Sequence, residues 1–191
     1  MTGLIILAAG SSSRLGQPKQ NLVYKGKTLL QRAIETAVSS VCEPVVVVLG
    51  SNAGSIKSTI ATYPVLIIEN NDWNEGMASS IRAGINKVLQ LKPTADDIIL
   101  MLCDQPFVDT YLINMLVAAK AKNGICASFY NDTIGPPVLF DVVYFDELLK
   151  LQGTEGAKKV MQKYPERVKE IPFAPGGVDI DTMEDYEKII R

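Results

Sequence analysis

Four short apolar runs, rich in β-branched residues, recur through the first part of the chain. They cover residues 4–7, 45–49, 65–68 and 98–102. Runs of this length and composition are typical of strands buried on both faces of a parallel sheet. Helical spacing of apolar residues predicts helices within 29–38 and 77–89, and a weaker one at 51–62. The alternation predicts an α/β fold, with a doubly wound, mostly parallel sheet in a three-layer α/β/α sandwich and a ligand at the carboxyl ends of the strands.

The second half of the chain continues with further helices and strands. In chain order we expect a helix at 111–122, strands at 125–130 and 136–140, helices at 142–151 and 156–163, and a strand at 167–172. Thr182 is a plausible N-cap for a closing helix that runs to Ile190. Because 191 residues contain no linker, repeat or low-complexity tract, we expect a single domain, 1–191.

The charge and the apolar content of the sequence argue against nucleic acid and membranes as partners. The net charge is -2 and its signs are interspersed, so the basic stripe of a nucleic-acid-binding protein is missing. No apolar run approaches the roughly 20 residues that a bilayer span needs, and the first residues lack the features of a secretory signal. We therefore expect a cytoplasmic protein that binds neither nucleic acid nor membrane.

The sequence contains no histidine. This excludes Ser-His-Asp and Cys-His catalysis, histidine-ligated metals and imidazole acid–base chemistry. Cys42, Cys103 and Cys126 are far apart and odd in number, which argues against a disulfide framework or a zinc motif and favours buried thiols. Any chemistry must use lysine, arginine, carboxylates, backbone amides or a hard cation.

A loop of small residues follows the first apolar run. Two cations, Arg14 and Lys19, lie within it. The sequence of the loop is Leu7-Ala8-Ala9-Gly10-Ser11-Ser12-Ser13-Arg14-Leu15-Gly16-Gln17-Pro18-Lys19. Small residues let backbone amides approach an anion, Arg14 can give a forked contact to phosphate, and Lys19 adds a mobile charge. The spacing of Gly10 and Gly16 matches neither the dinucleotide fingerprint nor the P-loop. The loop predicts a polyphosphate site; the alternative is merely a flexible turn.

The segment LAAGSSSRLGQPK resembles the signature of the MobA-like NTP transferase superfamily, which includes the molybdenum cofactor guanylyl- and cytidylyltransferases. The likeness continues along nearly all of the chain and is closest to the cytidylyltransferases. It implies a nucleotide-diphospho-sugar transferase-like variant of the Rossmann fold, in which Lys19 steadies the pentavalent transition state together with Arg14. The nucleotide-binding residues that it implies are Leu7, Ala8, Ala9, Gly10, Ser11, Ser12, Ser13, Arg14, Lys19, Asn70 and Ser80.

Carboxylates near two loops suit a hard cation. Asp104 follows the fourth apolar run, at the carboxyl end of a buried strand, and Mg²⁺ prefers one or two carboxylates with phosphates and waters. A helix cap is the alternative for Asp104, although Asp109 is the better cap candidate. Asp179 and Asp181 lie on the same side of an extended segment. The resemblance implies a metal site of Asp104 and Asp179, with Asp181 left as a ligand, an orienting group or a cap.

Residues 70–84 follow the third apolar run and open a helix, where a nucleoside would lie. The segment resembles the family's nucleoside-binding element, and Ser80 aligns with a serine that cytidylyltransferases of this fold use around the sugar and base. The alternative is that Ser79 and Ser80 only begin the helix. Asn70 opens the same segment and is an expected nucleotide-binding residue.

Residues 135–140 and 153–158 look like the acceptor-side elements of molybdenum cofactor cytidylyltransferases. There the family pattern is Gly-Asp-x-Gly-Ala-Arg. This chain has Thr154, Glu155 and Lys158 instead, which keeps the charge but loses the arginine fork. The departure leaves the acceptor open.

The resemblance implies Mg²⁺-dependent transfer of CMP from CTP to the terminal phosphate of molybdopterin-type cofactor, with pyrophosphate as the leaving group. Alternatives of the same class are guanylyl transfer to this cofactor and nucleotidyl transfer to a sugar or alcohol phosphate. A different alternative is a non-catalytic protein that delivers cofactor, with transient contact to a molybdoenzyme or its chaperone. A flavin- or nicotinamide-linked reductase would lack its loop fingerprint.

Overall fold

The computed structural model describes residues 1–12 and 15–190. Its strands are β1 (Thr2–Ala8), β2 (Val23–Tyr24), β3 (Lys27–Thr28), β4 (Val45–Leu49), β5 (Leu66–Glu69), β6 (Asp97–Leu102), β7 (Ile125–Tyr130), β8 (Thr133–Asp141) and β9 (Val168–Pro172). Its helices are α1 (Leu29–Val38), α2 (Ala53–Ile60), α3 (Met77–Leu91), α4 (Thr110–Ala119), α5 (Phe145–Leu149), α6 (Lys158–Lys163) and α7 (Met183–Ile190). Short 3₁₀ turns lie at Lys19–Asn21, Trp73–Glu75, Val142–Tyr144, Pro165–Arg167 and Ala174–Gly177.

A seven-stranded sheet organises the described residues, in the order β5-β4-β1-β6-β8-β7-β9. Neighbouring strands are parallel except at β8, which runs antiparallel to both β6 and β7. The prediction of a mostly parallel sheet is confirmed. A second small sheet, the hairpin of β2 and β3, was not predicted from the apolar pattern.

Helices cover both faces of the sheet, because side chains along each strand point alternately to opposite sides. From β1, Leu4 and Ile6 enter a core beneath α1, α2 and α4. Ile5 and Leu7 enter a second core beneath α3, α5 and α6. The predicted three-layer α/β/α sandwich is confirmed, and the carboxyl ends of β1 and β6 lead directly into the predicted site loops.

The interpretation of the third apolar run as a strand buried on both faces is wrong. The run forms β5 at the edge of the sheet, where it pairs with β4. Leu66 in this strand is 38% exposed. An edge strand lies at the margin of the covering helices, and apolar composition does not distinguish it from a central strand.

A tight hairpin explains why β8 begins earlier than predicted. Asn131 and Asp132 connect β7 to β8 with positive φ angles of 48° and 55°. Two left-handed residues between antiparallel strands are typical of a type I′ turn, and Tyr130 pairs with Thr133 across it. The hairpin therefore lengthens the strand expected at 136–140 toward its amino end.

The two predicted N-caps agree with the structure, whereas two of the predicted helices are longer than the observed ones. Asp109 Oδ1 accepts a bond from the backbone amide three residues on at 2.8 Å, and Thr182 Oγ1 does the same at 3.2 Å. Both cap predictions are confirmed. The helix expected at 51–62 shortens to α2, and the one expected at 142–151 divides into a 3₁₀ turn and α5.

The three cysteines are buried and free, as expected. Burial, followed by the charge of neighbouring Asp104, raises the pKa of the Cys103 thiol to about 12. The thiol therefore stays protonated at neutral pH and is a poor nucleophile. None of the helices in the described part of the chain is long and apolar enough to cross a membrane.

Candidate active site

A buried glutamine shapes the loop that follows β1. Gln20 is 1% exposed, and its Nε2 donates to the carbonyl oxygens of Ala8 at 2.7 Å and Gly10 at 3.2 Å. The Lys19 amide donates to Ser12 Oγ at 2.9 Å. These bonds fold the loop back on itself, so that Lys19 returns to the end of β1. Arg14 and Ser13 lie outside the described residues, and their phosphate contacts stay predictions.

Lys19 joins two of the carboxylates that the sequence analysis singled out. Its Nζ lies 2.6 Å from Asp104 Oδ2 and 2.9 Å from Asp181 Oδ1. Burial favours the neutral amine, but the charge and hydrogen bond of Asp104, with the hydrogen bond of Asp181, outweigh it and raise the pKa of Lys19 above its ordinary value. Lys19 is therefore a cation at neutral pH.

The buried side chain of Ile180 brings Asp179 and Asp181 to the same place. Ile180 is 0% exposed, and its amide donates to the Asp104 carbonyl at 3.0 Å. Because alternate residues of an extended segment point the same way, the two aspartates turn away from the core. Partial burial, then the charges of Asp181 and Asp104, raise the pKa of Asp179, so the three carboxylates interact.

The donor set fits a divalent cation that is shared with a nucleotide. Asp104 Oδ1 is buried and has no hydrogen-bond partner among the described residues. Within residues 1–12 and 15–190, no three Cys, Asp or Glu side chains form a group that could hold a metal alone. Mg²⁺ is commonly held by one or two carboxylates together with substrate phosphates. Asp104 and Asp179 therefore remain the predicted protein ligands of a cation that substrate phosphates would also bind.

A cavity of about 360 Å³ lies beside this cluster. The sequence-predicted residues that line it are Leu7, Ala9, Gly10, Ser11, Lys19, Ser80 and Asp104. Ala8 instead packs into the core beneath α1. The cavity thus brings together the loop after β1, the end of β6 and the start of α3, which the sequence places far apart.

Asn70 holds the side chains of Ser79 and Ser80 at the start of α3 by hydrogen bonds. Its Nδ2 donates to Ser79 Oγ at 2.8 Å and Ser80 Oγ at 3.0 Å, while its Oδ1 accepts from the Asp72 amide at 3.0 Å. Ser79 Oγ donates to the carbonyls of Asp72 and Gly76. Ser79 is therefore committed to the start of α3, whereas Ser80 faces the cavity with its position set by Asn70.

A second cavity of about 210 Å³ shares the side chains of Leu7, Met77 and Leu102 with the first. Its further walls come from β8, within 133–138, and from α6 with the two residues before it, within 156–161. These ranges overlap the acceptor-side elements identified in the sequence. The two cavities are neighbours across a thin apolar wall.

Gly76, which lines the larger cavity, contacts the loop at Gly153. Its φ of 125° and ψ of -167° lie in a region that is essentially restricted to glycine. A Cβ there would lie 2.4 Å from the Gly153 carbonyl oxygen, which also accepts from the Ala78 amide at 3.2 Å. The close approach of these two glycines fixes the acceptor-side loop on the start of α3.

Some residues of the site were not singled out from the sequence. Trp73, Asn74, Gly76 and Met77 line the larger cavity and lie within the predicted nucleoside segment, 70–84, whereas Leu102, which also lines it, was not predicted. Gln105 is 6% exposed, and its Nε2 donates to the carbonyls of Pro136 and Gly176, each at 3.1 Å. It ties β8 and the C-terminal segment to Asp104. A signal was present for Gln105, since it directly follows the strand-end aspartate.

Replacing Gln20 with leucine tests how the loop after β1 is held. The variant removes the donor to the Ala8 and Gly10 carbonyls, and we expect the free energy of unfolding to fall by about 1–3 kcal/mol and the KM for nucleotide to rise about tenfold. Urea unfolding and steady-state kinetics measure both. Exposed Gln162→Leu in α6 is the matched control; an unchanged KM in Gln20→Leu contradicts the assignment.

Known proteins resemble the chain along its length. A family model described as the MobA-like NTP transferase domain matches residues 4–168. A nicotine blue oxidoreductase of Paenarthrobacter nicotinovorans is 31% identical, covering 97% of this chain and 95% of that protein. The purine catabolism protein PucB of Bacillus subtilis (strain 168) is 30% identical over 98% and 95%. A molybdenum cofactor cytidylyltransferase of Escherichia coli (strain K12) is 24% identical over 95% and 92%.

Solved structures share the fold. The crystal structure of Rv0371c from Mycobacterium tuberculosis H37Rv has a TM-score of 0.84 and 30% identity, covering 100% of this chain and 97% of that one. A complex of Rv0371c with manganese has a TM-score of 0.83 and 27% identity over 99% and 97%. The family match makes the chain a nucleotidyltransferase. It belongs to the MobA-like NTP transferase family.

Proposed function

We propose that the chain transfers CMP from CTP to the terminal phosphate of a molybdopterin-type cofactor and releases pyrophosphate, acting in the cytoplasm. The observation that carries this proposal is the meeting of Lys19 and Asp104, 2.6 Å apart, on the wall of a nucleotide-sized cavity. A second cavity adjoins it through shared apolar side chains. Two substrates can therefore meet at the cationic end of the larger cavity.

The loop after β1 would hold the triphosphate. Gly10 and Ser11 line the cavity, and small residues allow backbone amides to approach phosphate oxygens closely. Lys19, a cation held at the end of the loop, would follow the negative charge that develops on the transferring phosphoryl group. Arg14 is proposed to act on the departing pyrophosphate oxygens.

Asp104 and Asp179 would hold Mg²⁺, which neutralises charge on the α-phosphate when it is bound. Asp104 supplies a carboxylate whose position is fixed by burial, because it is 8% exposed. The amide of Ile180, the residue after Asp179, donates to the Asp104 carbonyl, which supports a shared site. The manganese complex of Rv0371c supports a divalent cation in a protein of this fold.

The smaller cavity would take the ring system of the acceptor. Its apolar walls of Leu7, Ile81 and Val138 suit a flat ring. Lys158 lies at its edge and donates to Thr133 Oγ1 at 3.0 Å, so it can meet an anionic group there. An acceptor phosphate is already ionised, so its attack on the α-phosphorus needs no protein base.

Full-length similarity to a cytidylyltransferase supports CTP as the nucleotide. Ser80 supports the same choice, because Asn70 fixes its hydroxyl at the cavity wall. Guanylyl transfer to the same cofactor, and nucleotidyl transfer to a sugar or alcohol phosphate, remain the alternatives of this class. Measurement of pyrophosphate release with each nucleotide and acceptor distinguishes these alternatives.

Measuring pyrophosphate release with different nucleotides and acceptors identifies which pair the protein uses. With Mg²⁺ and molybdopterin, we expect kcat/KM for CTP to exceed that for GTP by about tenfold or more, because a pocket that pairs with one base leaves polar groups unpaired with another. Release is measured with a coupled pyrophosphatase assay, and reactions without acceptor are the control. A preference for GTP contradicts cytidylyl transfer. If no nucleotide and acceptor pair releases pyrophosphate, the accessory role of a cofactor-delivery protein replaces the enzymatic one.

The similarity to a protein named nicotine blue oxidoreductase favours a redox role as a second candidate. A doubly wound fold that binds a nicotinamide dinucleotide uses glycines spaced as GxGxxG after its first strand. In this chain Gly10 and Gly16 lack that spacing. Oxidation of reduced nicotinamide by the purified protein, measured by absorbance with a quinonoid dye as acceptor, would support the redox role over nucleotidyl transfer.

A further inference from the structure

Asp104 lines the cavity together with Lys19. Its Oδ1 is buried and has no hydrogen-bond partner in the described part of the chain. A divalent cation that bound both oxygens of the carboxylate would satisfy Oδ1 and would also need Oδ2. That oxygen already accepts a bond from Lys19 Nζ at 2.6 Å. The ammonium group thus stands where a metal ion on Asp104 would bind.

Asp181 holds Lys19 in this position. Its Oδ1 accepts a second bond from the same ammonium at 2.9 Å, although the residues are 162 positions apart in sequence. The Lys19 side chain is 17% exposed and that of Asp181 is 49% exposed. Asp181 is therefore the solvent-facing end of a bridge whose buried end is Asp104.

One ammonium does not balance the two carboxylates that it contacts, those of Asp104 and Asp181. A metal ion and an ammonium on the same oxygen would repel each other strongly at such short range. A triphosphate carries several charges and attracts a lysine ammonium readily.

We infer that Lys19 and the divalent cation compete for Asp104 Oδ2, with Asp181 as the residue that positions Lys19 there. A nucleoside triphosphate ends the competition because it draws Lys19 onto its phosphates. The protein then binds metal tightly only together with nucleotide. By thermodynamic linkage, metal strengthens nucleotide binding by the same factor. The inference rests on the proposed function in taking a nucleoside triphosphate as substrate.

Manganese titration without nucleotide tests the competition. We expect Lys19→Met to bind Mn²⁺ about tenfold or more tightly than the unsubstituted protein, a typical size for coupled sites, as measured by calorimetry and by water-proton relaxation. Lys27→Met is the matched control, since Lys27 pairs with Glu35 at 2.6 Å on the surface. The gain should vanish in a double variant that also carries Asp104→Asn. Equal Mn²⁺ affinity of Lys19→Met and the unsubstituted protein overturns the inference.

The unsubstituted protein gives an independent readout that does not depend on the variant folding. The Lys19 ammonium, assigned by its loss in Lys19→Arg, should give a proton–nitrogen correlation protected by its two carboxylate partners. A methylene-bridged CTP analogue should shift this signal, whereas Mg²⁺ alone at low millimolar concentration should not. Asp181→Asn should weaken the protection. A signal that ignores the analogue overturns the inference. Displacement by Mg²⁺ alone at low millimolar concentration also overturns it, because metal would then bind tightly without nucleotide.

The inference and the proposed function can fail separately. If Lys19→Met gains Mn²⁺ affinity but no nucleotide and acceptor pair releases pyrophosphate, the transfer reaction fails and the competition stands. If pyrophosphate is released from CTP and Lys19→Met gains nothing, the competition fails alone.

Discussion

Replacing Asp104 with asparagine is expected to lower kcat/KM for CTP about 10²- to 10³-fold, the usual cost of losing one group that stabilises charge in a transition state. Asparagine keeps the shape of the side chain, which is 11% exposed, but removes the charge that faces Lys19. The predicted metal site also loses one of its two carboxylates. Pyrophosphate release at saturating and limiting CTP separates the effects on kcat and KM.

Asp109→Asn is the matched control for this variant. Asp109 lies five residues further on and caps α4 through a 2.8 Å bond, and asparagine is an equally good cap. We expect its kinetics and thermal unfolding to match those of the unsubstituted protein. An Asp104→Asn protein that unfolds normally and retains more than about a third of the original kcat/KM would show that this carboxylate takes no part in the reaction.

Replacing Gly76 with alanine is expected to lower the free energy of unfolding by about 3 kcal/mol or more and to reduce turnover. The backbone conformation alone costs about 1–3 kcal/mol for a residue with a side chain. The added Cβ would also lie 2.4 Å from the Gly153 carbonyl oxygen, so the acceptor-side loop must move. Urea unfolding measures the first effect, and kcat/KM for the acceptor measures the second.

Gly26→Ala separates backbone strain from the displaced loop. Gly26 also has a positive φ, 81°, but an added Cβ would meet no atom within 4 Å. Its expected cost is about 1–2 kcal/mol, with unchanged kinetics. If Gly76→Ala also leaves kcat/KM for the acceptor unchanged, contact between the two glycines does not position the acceptor side.

The central sheet could be predicted from sequence because its signal is local. Continuous apolar runs mark β1, β4 and β6, and their burial follows from that composition. The edge position of β5 could not be predicted, since it depends on which strands lie beside it. The antiparallel direction of β8 had a local signal in Asn131 and Asp132, whose left-handed conformations set the hairpin.

The charged residues of the candidate site could be predicted where a charged side chain follows an apolar strand. Asp104 was identified this way and Lys19 by the loop of small residues after β1, and the structure brings them together. The bond between Lys19 and Asp181 was not predictable, because it joins residues 162 positions apart. Gln20 and Gln105 were missed for another reason: a glutamine that supports backbone carbonyls from the interior reads in sequence as an ordinary polar residue.

The two cavities draw on different parts of the sheet, and this bears on how the family could diversify. The larger one depends on the loops after β1 and β6, whereas β8 supplies a wall to the smaller one alone. Side-chain changes on β8 that leave the Pro136 carbonyl on Gln105 are therefore expected not to disturb the residues proposed to meet the triphosphate. Such a division lets selection explore new acceptors while the energy-supplying half of the reaction is inherited unchanged.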